Sequence, residues 1–272
     1  MSIDLHCHTR FSDGSVPMPD VVEMAYLRGI HILAITDHDT MVGCAAAAEL
    51  GDQLGIRVIP AVEISCFDNK RGRKVHILCY APMHPDHIEP ILSRTAANRH
   101  AATLRSIEKV IQLYPISREM IFHRAEGSEI IYKQHIMQTL MDAGYADEMF
   151  GALFRKLFNS RDGLAFERFE YPDIYEVLRA VHKAEGKAVL AHPSEYNSME
   201  LLQELAEQQL LHGVEINHPR NKEEEKAVMR EIAARYHLAV TGGTDFHGFY
   251  SAKKNPIGTC TTEQTEFDKL FN

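Results

Sequence analysis

Nine residues of this chain belong to the two types that hold divalent metals best in a mixed site: His6, His8, Asp13, His38, Glu63, His76, His192, Asp245 and His247. Imidazoles combined with hard carboxylates suit Zn²⁺, Mn²⁺ or Fe²⁺, and there is no all-thiolate set. Nine donors are too many for one four-coordinate ion and about right for two or three ions that share a bridging carboxylate. His6 and His8 are two apart, so on a β-strand both point to one face while Leu5 and Cys7 point to the other. A Gly-containing turn, Ser12-Asp13-Gly14, then brings in Asp13. Read alone, His-x-His also fits two surface histidines on an edge strand. Here, similar groups recur wherever a predicted strand ends. Asp245-x-His247 repeats the spacing near the other end of the chain, and in a closed barrel the first and last strands are neighbours.

The elements that must position these groups alternate. After the first strand the pattern predicts a helix over 17–29, a strand over 31–36 and an Ala-rich helix over 44–54. Strands follow over 56–62, with Glu63 at the end, and 74–80, carrying His76. Such alternation predicts parallel strands with covering helices and functional groups at the strands' carboxyl ends. Between about 85 and 171 the pattern changes to successive helices over 88–113, 117–124, 134–143 and 147–158. Alternation then resumes, with helices over 173–185, 200–209 and 222–236 and strands over 187–191, 213–217 and 238–241. The expected organisation is α/β: a barrel over 1–87 and 172–272, interrupted by a helical, substrate-selecting subdomain over 88–171.

Composition narrows the classes. The 272 residues are 45% hydrophobic and 25% charged, enough apolar material for a large core. A formal charge of −9 argues against extended nucleic-acid binding, although metals or a local basic pocket can still attract phosphate. Five cysteines without a C-x-x-C pair point to a reducing compartment. A first strand beginning by Ile3 leaves no room for a signal peptide. No apolar run approaches the roughly 18 residues of a membrane span. The expectation is a cytoplasmic protein.

The segments Asp4-Leu5-His6-Cys7-His8-Thr9, Phe11-Ser12-Asp13-Gly14, Thr36-Asp37-His38-Asp39, Val62-Glu63, Val75-His76, Ala191-His192-Pro193 and Thr244-Asp245-Phe246-His247 resemble the PHP (polymerase and histidinol phosphatase) family. The resemblance spans nearly the whole chain in order. It implies a distorted (β/α)₇ barrel, three divalent ions and hydrolysis of phosphate esters. Carried over by motif, His6, His8, Glu63 and Asp245 would hold one ion, and Asp13, His38 and His247 a second. Glu63, His76 and His192 would hold a third, with Glu63 bridging. Glu63, Asp13, His38, Asp245 and His247 would then surround the reacting phosphoryl group. Asp37 and Asp39 are expected to orient an imidazole N–H from behind.

Within the insertion the closest resemblance is to members acting on small nucleotide or sugar phosphates, which implies substrate contacts from Arg99, His135 and Lys156. The plain alternative for each is an exposed helical charge. Three divalent cations would be nearly neutralised by three carboxylates, a bridging hydroxide and a phosphate dianion, so the site would match a phosphorylated metabolite. In-line attack by that hydroxide is the implied chemistry. A nucleotide or nucleoside 3′,5′-bisphosphate monoester is the leading substrate expectation. A cyclic phosphodiester of a sugar or nucleotide is the alternative, followed by a 5′–3′ exonuclease. A non-catalytic metal-binding scaffold would be expected to lose ligands, and all nine are retained.

Overall fold

A computed structural model describes residues 1–251 and 254–272. Seven strands form one sheet in chain order. They are β1 (Ile3–Cys7), β2 (Ile32–Ile35), β3 (Arg57–Asp68), β4 (Arg73–Tyr80), β5 (Lys187–Leu190), β6 (Gly213–Asn217) and β7 (Ala239–Gly242). β1, β2 and β3 run parallel, as do β5, β6 and β7. β4 is antiparallel to both its neighbours, which corrects the all-parallel expectation. No helix separates β3 from β4. Instead Asp68 accepts the backbone N–H groups of Lys70 and Arg71, and Gly72, at φ 66°, turns the chain straight back.

β3 also runs six residues past the predicted end. Glu63 is therefore a mid-strand residue, paired with Leu78, while Ser65 pairs with His76. Side-chain alternation puts Glu63, Ser65 and His76 on one face of the hairpin.

The sheet closes on itself at β1 and β7 without a full ladder. His8 N–H donates to Phe246 O and Asp245 N–H to His6 O, each at 2.8 Å. Buried Asp4 pins this seam by accepting from Thr244 N (2.9 Å), Thr244 Oγ1 (2.5 Å) and Gly258 N (2.8 Å). Gly243 is needed there, because a Cβ would fall on the His6 backbone.

Helices α1 (Met18–Leu27) and α2 (Cys44–Leu54) cover the first strands. Between β4 and β5 come α3 (Glu89–Leu113), α4 (Arg118–Arg124), α5 (Lys133–Asp142), α6 (Ala152–Phe158) and α7 (Ile174–Lys183). α8 (Met199–Glu207), α9 (Glu223–Arg235) and α10 (Gln264–Phe271) follow. α6 starts later than predicted because extended Gly151 interrupts the run. α10 was not anticipated; Phe267 and Leu270, three apart, join the barrel core as the helix packs along β7.

α3 belongs to two cores. Its first turns, with Ile91 and Leu92, pack on the barrel, and its last turns, with Ile107 and Val110, pack on α4, α5 and α6. At roughly 1.5 Å per residue it is a ~37 Å beam that ties the helical segment to the strands. Arg99 lies near its middle. Among the described residues no helix is long and apolar enough to cross a membrane.

Candidate metal centre

The strands and the loops that follow them bring all nine predicted donors to one place. His6 Nε2 and His8 Nε2 are 3.1 Å apart. Glu63 Oε2 lies 3.3 and 3.2 Å from them, and Asp245 Oδ1 lies 3.4 and 3.2 Å from them. Four donors bound to one ion at about 2.0–2.2 Å stand about 3.0–3.5 Å from each other. These four already have that spacing. His6 Nδ1 faces Glu215 Oε1 at 2.9 Å, so Nδ1 carries the proton and Nε2 presents a lone pair.

A second group joins His8, Asp13, His38 and His247, with His247 Nε2 3.2 Å and His8 Nδ1 3.6 Å from Asp13 Oδ1. A third surrounds the other side of Glu63. Its Oε1 is 2.7 Å from His76 Nδ1 and 2.8 Å from His192 Nε2, while His38 Nδ1 is 3.3 Å from Oε2. Glu63 thus touches five imidazoles with two oxygens.

The donor set fits divalent cations on a structural ground. The Nδ1 atoms of His8, His38 and His192 are buried with no hydrogen-bond partner. Buried polar atoms are rarely left so unless something else satisfies them. The charge balance agrees. Burial would raise Glu63 and Asp245, yet surrounding imidazoles, led by His76 and His247 respectively, hold both well below the usual carboxylate range. Burial would lower His8, but Asp245 and Glu63 push it up to about 10. These carboxylates therefore stay ionised and demand positive charge.

Backbone shape helps to aim the side chains. His192 and Asp245, at φ 26° and 53°, adopt the left-handed region as they leave β5 and β7. Asp37 and Asp39 do not orient imidazoles, contrary to expectation. Asp37 accepts from Thr9 N, Thr9 Oγ1 and Ser12 Oγ at 2.6–2.7 Å, which fixes the turn carrying Asp13. Asp39 accepts from Ser65 N and Arg99 Nη2. The orienting carboxylate is Glu215, buried on β6, which accepts His6 Nδ1–H and His192 N–H. Sequence reading missed it. A Glu inside an apolar strand, Gly-Val-Glu-Ile-Asn, was the available signal.

A cavity of about 580 Å³ opens over the centre, lined by Asp13, Glu63, His192 and Asp245 and by Arg220 and Tyr196 at its side. A second, of about 230 Å³, shares Asp13, His38 and His76 with it and continues to Lys74, Arg99, Tyr132 and Lys133. Arg99 is where predicted, its Nη2 2.7 Å from Asp39 Oδ2 and from Ser65 Oγ. Lys74 and Lys133 sit over aromatic rings, Lys74 over Tyr171 and Lys133 over Phe158 and Phe166. Neither pairs with a carboxylate among the described residues. Burial, with Lys74 and Arg99 nearby, brings Lys133 down to about 7. Gln134 Nε2 donates to Asp13 Oδ2 at 2.7 Å, so the insertion reaches the centre itself.

Two of the expected substrate contacts lie outside both cavities. His135 is buried, and its Nδ1 accepts Tyr132 N–H at the start of α5, so it caps a helix and does not line either cavity. Lys156 is exposed on α6, its Nζ 3.5 Å from Tyr114 Oη, away from both cavities. Lys133, the residue after Tyr132, lines the second cavity.

The model of the PHP domain family matches residues 4–210. The chain belongs to the PHP family. It is 37% identical over 247 residues to the phosphoribosyl 1,2-cyclic phosphate 1,2-diphosphodiesterase of Eggerthella lenta, covering 90% of this chain and 94% of the relative. It is 27% identical to the 3′,5′-nucleoside bisphosphate phosphatase of Chromobacterium violaceum, covering 90% and 87%. Among solved structures, a candidate metal-dependent phosphoesterase of Bifidobacterium adolescentis superimposes with a TM-score of 0.89 at 31% identity, over 99% and 95% of the two chains. This PHP protein is accordingly a metal-dependent phosphoesterase, with the family's barrel.

Proposed function

We propose that this PHP protein acts on a small ribose phosphate bearing two phosphoryl groups, best matched by a 1,2-cyclic phosphate with a 5-phosphate. It would open the cyclic diester and then hydrolyse the resulting monoester. The observation that carries this reading is the pairing of two unlike regions in one continuous space. Carboxylates and imidazoles form the floor, and unneutralised Lys74 and Lys133 with Arg99 form an arm next to it. One phosphoryl group would react on the floor while the other is held by the arm. The 37% identical relative favours the cyclic diester over the nucleotide expected first.

Three ions are the reading that uses every donor, with His6, His8, Glu63 and Asp245 around the first. Asp13, His38 and His247, joined by His8, would take the second, and Glu63, His76 and His192 the third. When bound, Mn²⁺, Zn²⁺ or Fe²⁺ would polarise the phosphoryl oxygens and make a water nucleophilic near neutral pH. Glu63 keeps its two oxygens on opposite sides, so it sets the distance between ion sites. Glu215 holds the His6 tautomer that leaves Nε2 free. Gln134 ties Asp13 to the insertion, so docking of the arm and placement of Asp13 are one event. In the first step water adds to phosphorus, one P–O bond to ribose breaks, and the leaving oxygen takes a proton. In the second, another water adds to phosphorus, the remaining P–O bond to ribose breaks, its oxygen takes a proton, and inorganic phosphate leaves. The free thiols suit a reducing, cytoplasmic setting.

Phosphate release from a substrate panel tests this. Ribose 1,2-cyclic phosphate 5-phosphate should turn over with the highest kcat/KM, ahead of a nucleoside 3′,5′-bisphosphate and a 5′-phosphorylated oligoribonucleotide. Preference for either of the latter two would overturn the substrate assignment.

A further inference from the structure

The loop that leaves β6, His218-Pro219-Arg220-Asn221, carries a buried imidazole that no predicted ligand set uses. His218 is 1% exposed. Its Nδ1 accepts the Arg220 backbone N–H at 3.1 Å. The neutral ring therefore carries its proton on Nε2. That N–H has no hydrogen-bond partner. It stands 3.4 Å from Asp245 Oδ2 and 4.0 Å from Glu215 Oε2. Asp245 is divided: Oδ1 faces His6, His8 and His247 at 3.2–3.4 Å, and Oδ2 faces His218 and Arg220, each at 3.4 Å.

The loop is stiff. Asn221 Nδ2 donates to Glu215 O and Ile216 O, and its Oδ1 accepts Ser194 N–H. A ring held this firmly, with a donor aimed at one carboxylate oxygen, loses hydration and regains nothing unless that bond forms. His218, Glu215 and His6 also lie close enough together to suggest an ion site of their own. The protonation pattern argues against it, since His6 Nδ1–H already donates to Glu215 and His218 Nε2 carries a proton.

We infer that His218 is a positioning residue for the metal centre: its Nε2–H takes Asp245 Oδ2, so that Asp245 ligates through Oδ1 alone. Arg220, paired with Glu195 Oε1 at 2.5 Å, approaches the same outer oxygen from the cavity side. Two donors on Oδ2 keep the carboxylate from rotating to a two-oxygen grip and leave one coordination position on that ion for substrate or water. The inference rests on Asp245 being a metal ligand.

Two near-isosteric substitutions separate this role from simple packing. His218→Asn retains an acceptor where Nδ1 is but has nothing at Nε2, whereas His218→Gln places a donor near Nε2 and loses the acceptor. Metal affinity is read by competition with a chelating dye, and the thermal midpoint of metal-stripped protein is read beside it. The expected result is a ~10–100-fold loss of affinity in His218→Asn and near-native affinity in His218→Gln. The metal-stripped midpoint of His218→Asn should stay near that of the native chain. The reverse ranking would overturn the inference, showing that only the Arg220 N–H contact matters. Equal affinities in all three proteins would overturn it too. Asp245→Asn serves as the control: if it binds metal as the native chain does, the metal-ligand reading itself has failed.

Discussion

The floor of the cavity and its arm are built on opposite electrostatic plans. On the floor, Glu63, Asp13 and Asp245 are buried among imidazoles. On the arm, Lys74 and Lys133 are cations over aromatic rings without carboxylates, and only Arg99 has one. The first arrangement is incomplete without cations, the second without an anion. A phosphate ester over metal ions completes both. The floor also stands on strands and loops cross-tied by Asp4, Asp37 and Glu215, whereas the arm combines Lys74 on β4 with Arg99 on α3 and Lys133 on α5. On the proposed reading, chemistry would reside on the floor and selectivity on the arm.

Removing the link between ions should break that division most completely. Glu63→Gln is expected to lower kcat/KM by roughly 10³-fold or more, several kcal/mol of lost stabilisation, with bound metal falling in elemental analysis. A variant retaining native turnover would show the floor to be mere scaffold. Chelation of the native protein should abolish phosphate release, and Mn²⁺ or Zn²⁺ should restore it. Turnover surviving complete removal would contradict a metal-dependent site.

The arm should respond differently. Lys133→Met places an apolar chain between Phe158 and Phe166, so the fold should hold. KM for a doubly phosphorylated substrate should rise ~10-fold, about 1.4 kcal/mol, with kcat for a singly phosphorylated one unchanged. Equal losses on both substrates would place Lys133 in the chemistry and not in selection.

pH sharpens the same contrast. With its proton released near 7 in the folded protein, Lys133 should let KM climb above that pH, and Lys133→Arg should flatten the climb. The sign for stability is opposite. Below about 7 both folded and unfolded chains carry this charge and the buried ammonium is a burden. Between about 7 and 10.5 only the unfolded chain keeps the proton, so substrate-free stability gains from this residue as pH rises, readable in denaturant midpoints.

The smallest effects belong to residues that turned out to be outside the cavities. His135→Ala should lose about 1 kcal/mol of stability through the α5 cap with KM unchanged. Lys156→Ala should change stability by no more than about 0.5 kcal/mol.

Much of this was readable along the chain because metal ligands at strand ends leave local marks. His6-x-His8 has the two-residue step that strand alternation converts into a common direction, Asp245-x-His247 repeats that step just past β7, and His192-Pro193 closes the apolar run Ala188-Val189-Leu190-Ala191. Barrel helices such as α2, with Ala47 and Gly51 inward and Gly55 as its stop, follow from periodicity and a left-handed cap. What was not readable depended on partners far away in sequence. The antiparallel β4 needed the 68–72 turn to prevail over the alternation. His135 and Lys133 have similar local settings, and only the packing of α5 decided that one faces inward to cap and the other looks into the cavity. Glu215 resembles any strand carboxylate until the closed barrel brings it to His6 and the His192 backbone. The types and order of the candidate metal-binding groups belong to short local segments, so sequence alone determined them. Which nitrogen, which oxygen and which lysine faces the cavities is set by distances between segments up to 254 residues apart, as between Asp4 and Gly258, and those exist only once the barrel closes.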